Sequence, residues 1–304
     1  MIAPTCIERF APSPTGRLHL GHAYSAILAH DAAAATGGRF LLRLEDLDEG
    51  RVREAYVAQI FDDLAWLGLD WARPVLRQSA RRSAYREALD RLAAEGLIYP
   101  CGCSRRDILE ASSAPQEGAE AAEPGPDGPV YPGTCRRSPP QNGAVALRLH
   151  MDRAIARLGG PAAVARLGAL EIGRGPRGET GWQPLDSDAL KSMVGDVVLA
   201  RKDGAAAYHL AVVVDDAHQG VSHVTRGEDL FAATPIHRVL QALLGLPTPV
   251  YRHHRLIRDE SGRRLAKRDA ARSLESLRAS GETPAELRAR LGLSSPSAQS
   301  RAGR

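Results

Sequence analysis

Residues 7–44 open with Ile7-Glu-Arg-Phe-Ala-Pro-Ser-Pro-Thr-Gly-Arg-Leu-His-Leu-Gly-His22 and close with Gly37-Gly-Arg-Phe-Leu-Leu-Arg-Leu44. Ile7–Phe10 is a short apolar strand candidate, and the Pro-, Ser- and Gly-rich stretch after it reads as a turn. Leu20–Ala35 is rich in Ala and Leu and holds no Pro, so a helix is expected there, stopped by Gly37-Gly38. Arg39–Leu44 then reads as a buried strand. Strand, helix and strand in such quick succession make a βαβ unit, which requires a parallel sheet with a right-handed crossover. The expected fold class is therefore α/β.

Working outward, Val57, Ile60, Phe61, Leu64 and Leu67 fall on one face of a further helix. Ser79 is a candidate cap for the next, running to Glu95 and ending at Gly96. Val194–Ala200 and His209–Val214 are strand-like, Ala232–Leu244 reads as a helix, and Arg272–Leu293 gives short helices. Residues 111–129 hold no aromatic or branched aliphatic side chain and are acidic and dense in Pro and Gly, so disorder is expected there. The last residues, SSPSAQSRAGR, read as a frayed tail.

The 304 residues, 43% hydrophobic and 25% charged, have the mixture of a soluble globular protein. No run reaches the roughly 18 consecutive apolar residues of a membrane helix. The opening MIAPTCIERF lacks a charged and then apolar leader, and four cysteines cannot make a disulfide scaffold, so a reducing cytoplasm is expected. Secreted, membrane-embedded, collagen-like and wholly disordered classes are excluded. From Tyr251 onward the chain carries a local net charge of +7 against −3 for the rest, which favours a face that meets phosphates; solvated helix surface is the alternative. Only Lys191, Lys202 and Lys267 are lysines.

The turn between the first strand and its helix is where a doubly wound sheet binds ligands, and the helix N-terminus there favours phosphate. His19 and His22 add two donors, and Gly21 removes a side chain that would block a flat base. On their own, two histidines at this spacing would as readily be core or surface residues. On its own Arg9 reads as a surface salt bridge. By pattern alone Tyr208 would be a half-buried strand aromatic and Asp215-Asp216 a strand-end turn. Cys101-Gly-Cys103 and Cys135 favour a metal over a disulfide, with Gly102 permitting the tight turn; plain buried thiols are the alternative. For a fourth ligand, His150 is the general chemical favourite.

These segments combine into a resemblance. The Arg9–His22 segment, Arg43-Leu-Glu-Asp-Leu-Asp48, the run Tyr208-His-Leu-Ala-Val-Val-Val-Asp-Asp216 through Arg226-Gly-Glu-Asp229, and Arg263-Arg-Leu-Ala-Lys-Arg268 resemble class I aminoacyl-tRNA synthetases of the glutamyl branch, over roughly residues 7–270. The last segment departs from that branch's Lys-Leu-Ser-Lys-Arg: Arg264 stands for the first lysine, Ala266 for the serine, and Lys267 keeps the second lysine. The resemblance implies a Rossmann-type catalytic domain with an inserted zinc-containing, acceptor-like subdomain and a short helical C-terminal region. The expected limits are 1–100 and 191–255 for the two catalytic halves, 101–190 for the insertion, 256–293 for the signature loop and short helices, and 294–304 for the tail.

It further implies that glutamate is bound by Arg9, Phe10, Ala11, Pro12, Ser13, Glu45, Tyr208 and Arg226, and ATP by His19, Gly21, His22, Arg264 and Lys267. His19, His22 and Lys267 would carry catalysis, and Cys101, Cys103, Tyr131 and Cys135 would hold one structural zinc ion, with His150 in reserve. Mg²⁺ is expected with ATP. The 37 residues after Lys267 leave no room for helical anticodon-reading domains, which narrows the resemblance to short paralogues that activate glutamate with ATP and transfer it to the queuosine base of tRNA(Asp). A cytoplasmic monomer with no membrane contact is expected. The rivals are a truncated synthetase that charges a tRNA 3′ end, a small-molecule nucleotidylyltransferase, and a non-catalytic tRNA-binding paralogue.

Overall fold

The structure, a computed structural model, describes residues 5–112, 125–258 and 273–294. Strands β1 (Ile7–Phe10) and β2 (Arg39–Leu44) flank the Leu20–Ala35 helix, with the bounds read from sequence. They pair in parallel, and β3 (Ala72–Arg77) pairs in parallel with β2. The helix ends as its glycines require: Gly37 sits at φ +61, and a Cβ on Gly38 would stand 1.9 Å from the carbonyl oxygen of Cys6.

β4 (Ile98–Cys101), β5 (Ala146–Leu149) and β8 (Val198–Ala200) form a separate antiparallel sheet. The other half of the platform comprises β6 (Gly168–Glu171), β7 (Gly181–Pro184), β9 (His223–Gly227) and β10 (Val250–His254), in the order β7-β6-β10-β9, parallel except for the antiparallel edge strand β7. β6 and β7 therefore join the sheet of β9 and β10, although their residues lie in the stretch that sequence assigns to the 101–190 insertion. β9 lies beside β1: the Ser222 N–H donates to the Ile7 carbonyl at 3.0 Å. The Thr225 hydroxyl and N–H donate to the fully buried Glu8 carboxylate at 2.7 and 3.2 Å. The two half-sheets thus meet at β1 and β9, and the crevice beyond the carboxyl ends of those strands is the place where an open α/β sheet accepts ligands.

Three readings are corrected. His209–Val214 is no strand but lies within a helix, Tyr208–His218, in which Asp215 and Asp216 are helical too. Seven of its residues are buried, so its run of Val reflects all-round burial, which pattern alone does not separate from a buried strand. Of Val194–Ala200 only Val198–Ala200 is strand. Ser79 caps nothing: its N–H and hydroxyl both donate to Asp46, and the Arg82–Ala94 helix follows a 3-10 turn. The helix at Ala232–Leu244 spans Thr234–Leu244, preceded by another 3-10 turn. Of the stretch expected to be disordered, residues 125–129 form a turn closed by a Gly128 N–H to Gly125 O bond of 3.0 Å, and 113–124 lie outside the described residues.

Helices Leu274–Ala279 and Pro284–Arg290 pack through Leu274, Leu287 and Leu291 onto the core around Phe10, Leu18 and Ile27. The Glu54–Trp66 helix carries Asp63, fully buried, with neither carboxylate oxygen hydrogen-bonded among the described residues. Burial raises its pKa to about 7, only partly opposed by Arg278. A carboxyl whose folded pKa is raised stabilises fully below its unfolded pKa, and that contribution is lost as pH rises through the folded value. Asp63→Asn is therefore expected to match the wild type near pH 4 and to exceed it increasingly up to pH 7, by at most about 4 kcal/mol. Thermal unfolding of both proteins across that range checks this; a gap that does not vary with pH would refute it.

Candidate active site and metal centre

The Leu20–Ala35 helix begins with two histidines that cap it. The Gly21 N–H donates to His19 Nδ1 at 3.1 Å, and the His19 N–H donates to His22 Nδ1 at 3.1 Å. Each neutral ring therefore carries its proton on Nε2, and the two rings lie tilted at 34° with centroids 3.8 Å apart. Gly21 is needed for more than a passing base: a Cβ there would stand 3.0 Å from the His19 ring.

A cleft of about 480 Å³ opens in front of these rings, at the ends of β1 and β9. Arg9, Phe10, Ala11, Pro12, Ser13, His19, Gly21, His22, Glu45, Tyr208 and Arg226 all border it, so every expected glutamate- or ATP-binding residue among the described ones is brought together there. Arg264, Ala266 and Lys267 lie outside the described residues. The chain on either side of that segment is at the cleft: Leu256 and Ile257 form part of its wall, and Ser273 bridges to His19. Thr225, Asp229 and His254 also border the cleft and were not singled out from sequence.

Behind the cleft lies a charged network whose partners are far apart in sequence. Arg9 Nε and Arg43 Nη1 donate to the same oxygen of Asp216 at 3.1 and 2.6 Å. Burial pushes the Asp216 carboxyl up, but Arg9 and Arg43 outweigh it and hold the pKa below the ordinary range. Glu45, 3.5 Å from Arg43, is instead raised, because burial exceeds the pull of Arg43 and Arg9. Asp215 is the hub of a second set, accepting from Gln78 at 2.9 Å, Arg81 at 2.7 Å and Tyr85 at 2.8 Å.

Arg226 is held differently. It is 6% exposed, and it donates to His253 Nε2 at 3.0 Å, His237 Nδ1 at 3.0 Å and the Thr234 hydroxyl at 2.8 Å. Among the described residues it has no carboxylate partner. A buried guanidinium surrounded by neutral acceptors keeps its charge available to an anion. Tyr208 stands beside it and is exposed on two sides, one facing this cleft and one facing a second cavity of about 410 Å³.

The metal-ligand candidates also converge. The sulfur atoms of Cys101, Cys103 and Cys135 lie within 4.8 Å of one another, a group that can hold a metal ion. The Tyr131 hydroxyl is 3.5 Å from Cys103 Sγ and accepts the Cys135 N–H at 2.8 Å. Metal–sulfur bonds of ~2.3 Å in a tetrahedron place sulfurs ~3.8 Å apart, so the spacing fits. Burial raises the Cys135 thiol, but hydrogen bonds from Tyr131, the Gly102 N–H and the other cysteines prevail, and the net direction is down. His150 is elsewhere: it caps the Met151–Arg157 helix and does not belong to the cysteine group. Gly102 serves for space, since a Cβ would meet Pro140 at 3.1 Å, and its φ is not positive.

Comparison with known proteins adds three findings. Residues 6–154 and 186–301 match the family of class I tRNA synthetases (E and Q), catalytic domain. A protein of Rhodobacter capsulatus named Glutamyl-Q tRNA(Asp) synthetase is 56% identical over 292 residues, covering 94% of this chain and all of that one; a Nocardia farcinica protein of the same name is 44% identical over 93% of this chain and 82% of its own. Among solved structures, a glutamate tRNA ligase of Elizabethkingia meningosepticum, in complex with its amino acid, superposes with a TM-score of 0.67 at 25% identity over 87% of this chain. This chain spans 52% of that ligase. No helix among the described residues is long and apolar enough to cross a membrane.

Proposed function

The chain belongs to the class I tRNA synthetases of the glutamate and glutamine kind, and on that premise we propose that it activates L-glutamate with ATP and transfers it to the queuosine base in the anticodon of tRNA(Asp). The observation that carries this is the buried guanidinium of Arg226, without a carboxylate partner among the described residues, in one cleft with Arg9, Glu45 and the His19–His22 pair.

In the first step an oxygen of the glutamate α-carboxylate attacks the α-phosphorus of Mg·ATP, the bond to pyrophosphate breaks, and glutamyl-adenylate forms. Arg226 and Arg9 hold the side-chain carboxylate, and Glu45 and Ser13 receive the α-ammonium. His19 and His22 present Nε2–H donors to the phosphate as negative charge builds on it. Arg264 and Lys267 complete the charge on the pyrophosphate side. In the second step a hydroxyl of the queuosine cyclopentenediol attacks the activated carbonyl and AMP leaves. No side chain forms a covalent bond to substrate.

Selectivity for glutamate follows from charge. Glutamine would leave the Arg226 guanidinium buried without an anion, and a hydrogen bond to a charged group is worth roughly 1.5–3 kcal/mol, or about 10- to 150-fold in preference. In this reading Cys101, Cys103, Cys135 and Tyr131 hold one zinc ion. Four protein ligands leave no open position, so the metal shapes the segment instead of joining the chemistry. The enzyme acts as a cytoplasmic monomer.

The test is transfer of radiolabelled glutamate to tRNA(Asp) with and without queuosine. Label is expected only in the queuosine-containing tRNA, on the anticodon fragment after nuclease digestion. Equal labelling of both tRNAs on the 3′ fragment would make the chain a truncated charging enzyme. No glutamate-dependent pyrophosphate exchange would make it non-catalytic.

A further inference from the structure

Arg226 can only donate hydrogen bonds, and this settles the protonation of everything that touches it. His237 Nδ1 accepts from Arg226 Nη1 at 3.0 Å, so that nitrogen carries no proton. The His237 ring is then neutral with its proton on Nε2, from which it donates to His209 Nδ1 at 3.1 Å. His209 in turn carries its proton on Nε2, which faces Asp127 at 3.7 Å. On the other edge of the guanidinium, His253 Nε2 accepts from Arg226 Nε, so its proton sits on Nδ1 and is donated to Glu171. The carboxylates Glu171 and Asp127 are thus kept one and two rings away from the guanidinium, with neutral imidazoles between. Burial, followed by the Arg226 charge, holds the His237 pKa well below its ordinary value, in agreement with the geometry.

Resting on the glutamate reading of the cleft, we propose that His237 is a specificity-determining positioning residue: as a neutral acceptor fixed by His209, it orients the Arg226 guanidinium without neutralising it, and so reserves that charge for the substrate side-chain carboxylate. A carboxylate in the same place would orient the arginine equally well and satisfy its charge internally. The site would then lose its preference for an anionic side chain. Thr234, which accepts from Arg226 Nη2 at 2.8 Å in the first turn of the Thr234–Leu244 helix, offers an independent place to make the same change. An acidic residue in a first turn is favourable to the helix.

The experiment compares near-isosteric pairs, His237→Asn with His237→Asp and Thr234→Asn with Thr234→Asp, by pyrophosphate exchange with glutamate, glutamine and ATP each varied, and by calorimetric glutamate binding. The asparagine variants are expected to keep the glutamate KM within about threefold. The aspartate variants are expected to raise it about 10- to 150-fold, with the ATP KM unchanged and the glutamate-over-glutamine preference reduced by a similar factor. A merely structural role would make the members of each pair alike; equal glutamate KM values within both pairs would overturn the proposal. If one aspartate variant does not fold, the other pair decides. A wild-type protein that neither binds glutamate nor exchanges pyrophosphate with it would overturn the reading of the cleft itself and the proposal with it.

Discussion

Asp216→Asn is expected to lower stability by about 3–5 kcal/mol and to raise the glutamate KM with it, because the carboxylate is the shared anion of two buried guanidinium groups. Arg43 is fully buried, and without Asp216 its remaining partners among the described residues are Gln219 at 3.1 Å and Glu45 at 3.5 Å. Arg9 would keep its bond to the Thr225 carbonyl at 3.3 Å but lose the contact that fixes its plane. A loss of this size corresponds to a fall in Tm on the order of 10 °C. The wild-type contribution also has a pH signature: the folded pKa of Asp216 is depressed, so its stabilisation is present above the ordinary carboxylate range and lost as pH falls through the folded value. Asp216→Asn should therefore converge on the wild type at strongly acidic pH. An unfolding midpoint within 2 °C of wild type at pH 7 (roughly 1 kcal/mol or less) would show that the network is not what holds Arg9 and Arg43.

The second large effect concerns the cysteine group that can hold a metal ion. Cys101 is 1% exposed and sits at the end of β4, where the sulfur atoms of Cys103 and Cys135 face it. A structural zinc ion contributes roughly 10–16 kcal/mol of apparent binding energy in isolated finger peptides, so losing one thiolate ligand should abolish retention. Cys101→Ser purified with zinc supplementation is expected to carry less than about a tenth of an equivalent against one for the wild type. Tyr131→Phe tests the fourth ligand separately: its zinc should be stripped by a chelator concentration that leaves the wild type loaded, whereas His150→Ala should behave as wild type. Retention of tightly bound zinc by Tyr131→Phe, with its loss from His150→Ala, would exchange the two residues' roles. The thiols would then have to move, since His150 is committed to capping the Met151–Arg157 helix.

What could be read in the sequence was local. The bounds of β1, the first helix and β2 follow from the apolar runs, the Pro-rich turn and Gly37-Gly38, all acting within a few residues. Cys101, Cys103 and Cys135 announce themselves because few other roles need thiols at that spacing. The helix at Tyr208–His218 is not legible in the sequence because burial on every side erases the amphipathic period that marks a helix. The roles of Asp216, Arg43, His237 and His253 were invisible for a different reason. Asp216 lies 207 residues from Arg9 and 173 from Arg43, and nothing near either end reports a partner at that distance. The tautomers of His237 and His209 follow only once Arg226 is seen to touch the chain.

The seam between β1 and β9 also bears on how the protein is made. Ile7 takes its lateral partner, Ser222, from 215 residues further along the chain. While a ribosome is still synthesising the middle of the molecule, β1, β2 and their helix exist, but the β1 edge and the Glu8 carboxylate have no Thr225 to meet. Non-local pairing of this kind closes slowly and leaves an unpaired edge during the wait. The nascent chain therefore passes most of its synthesis as an incomplete half-sheet with that edge unpaired. The ligand cleft comes into being only when the two halves dock, so no catalytically competent intermediate precedes release of β9.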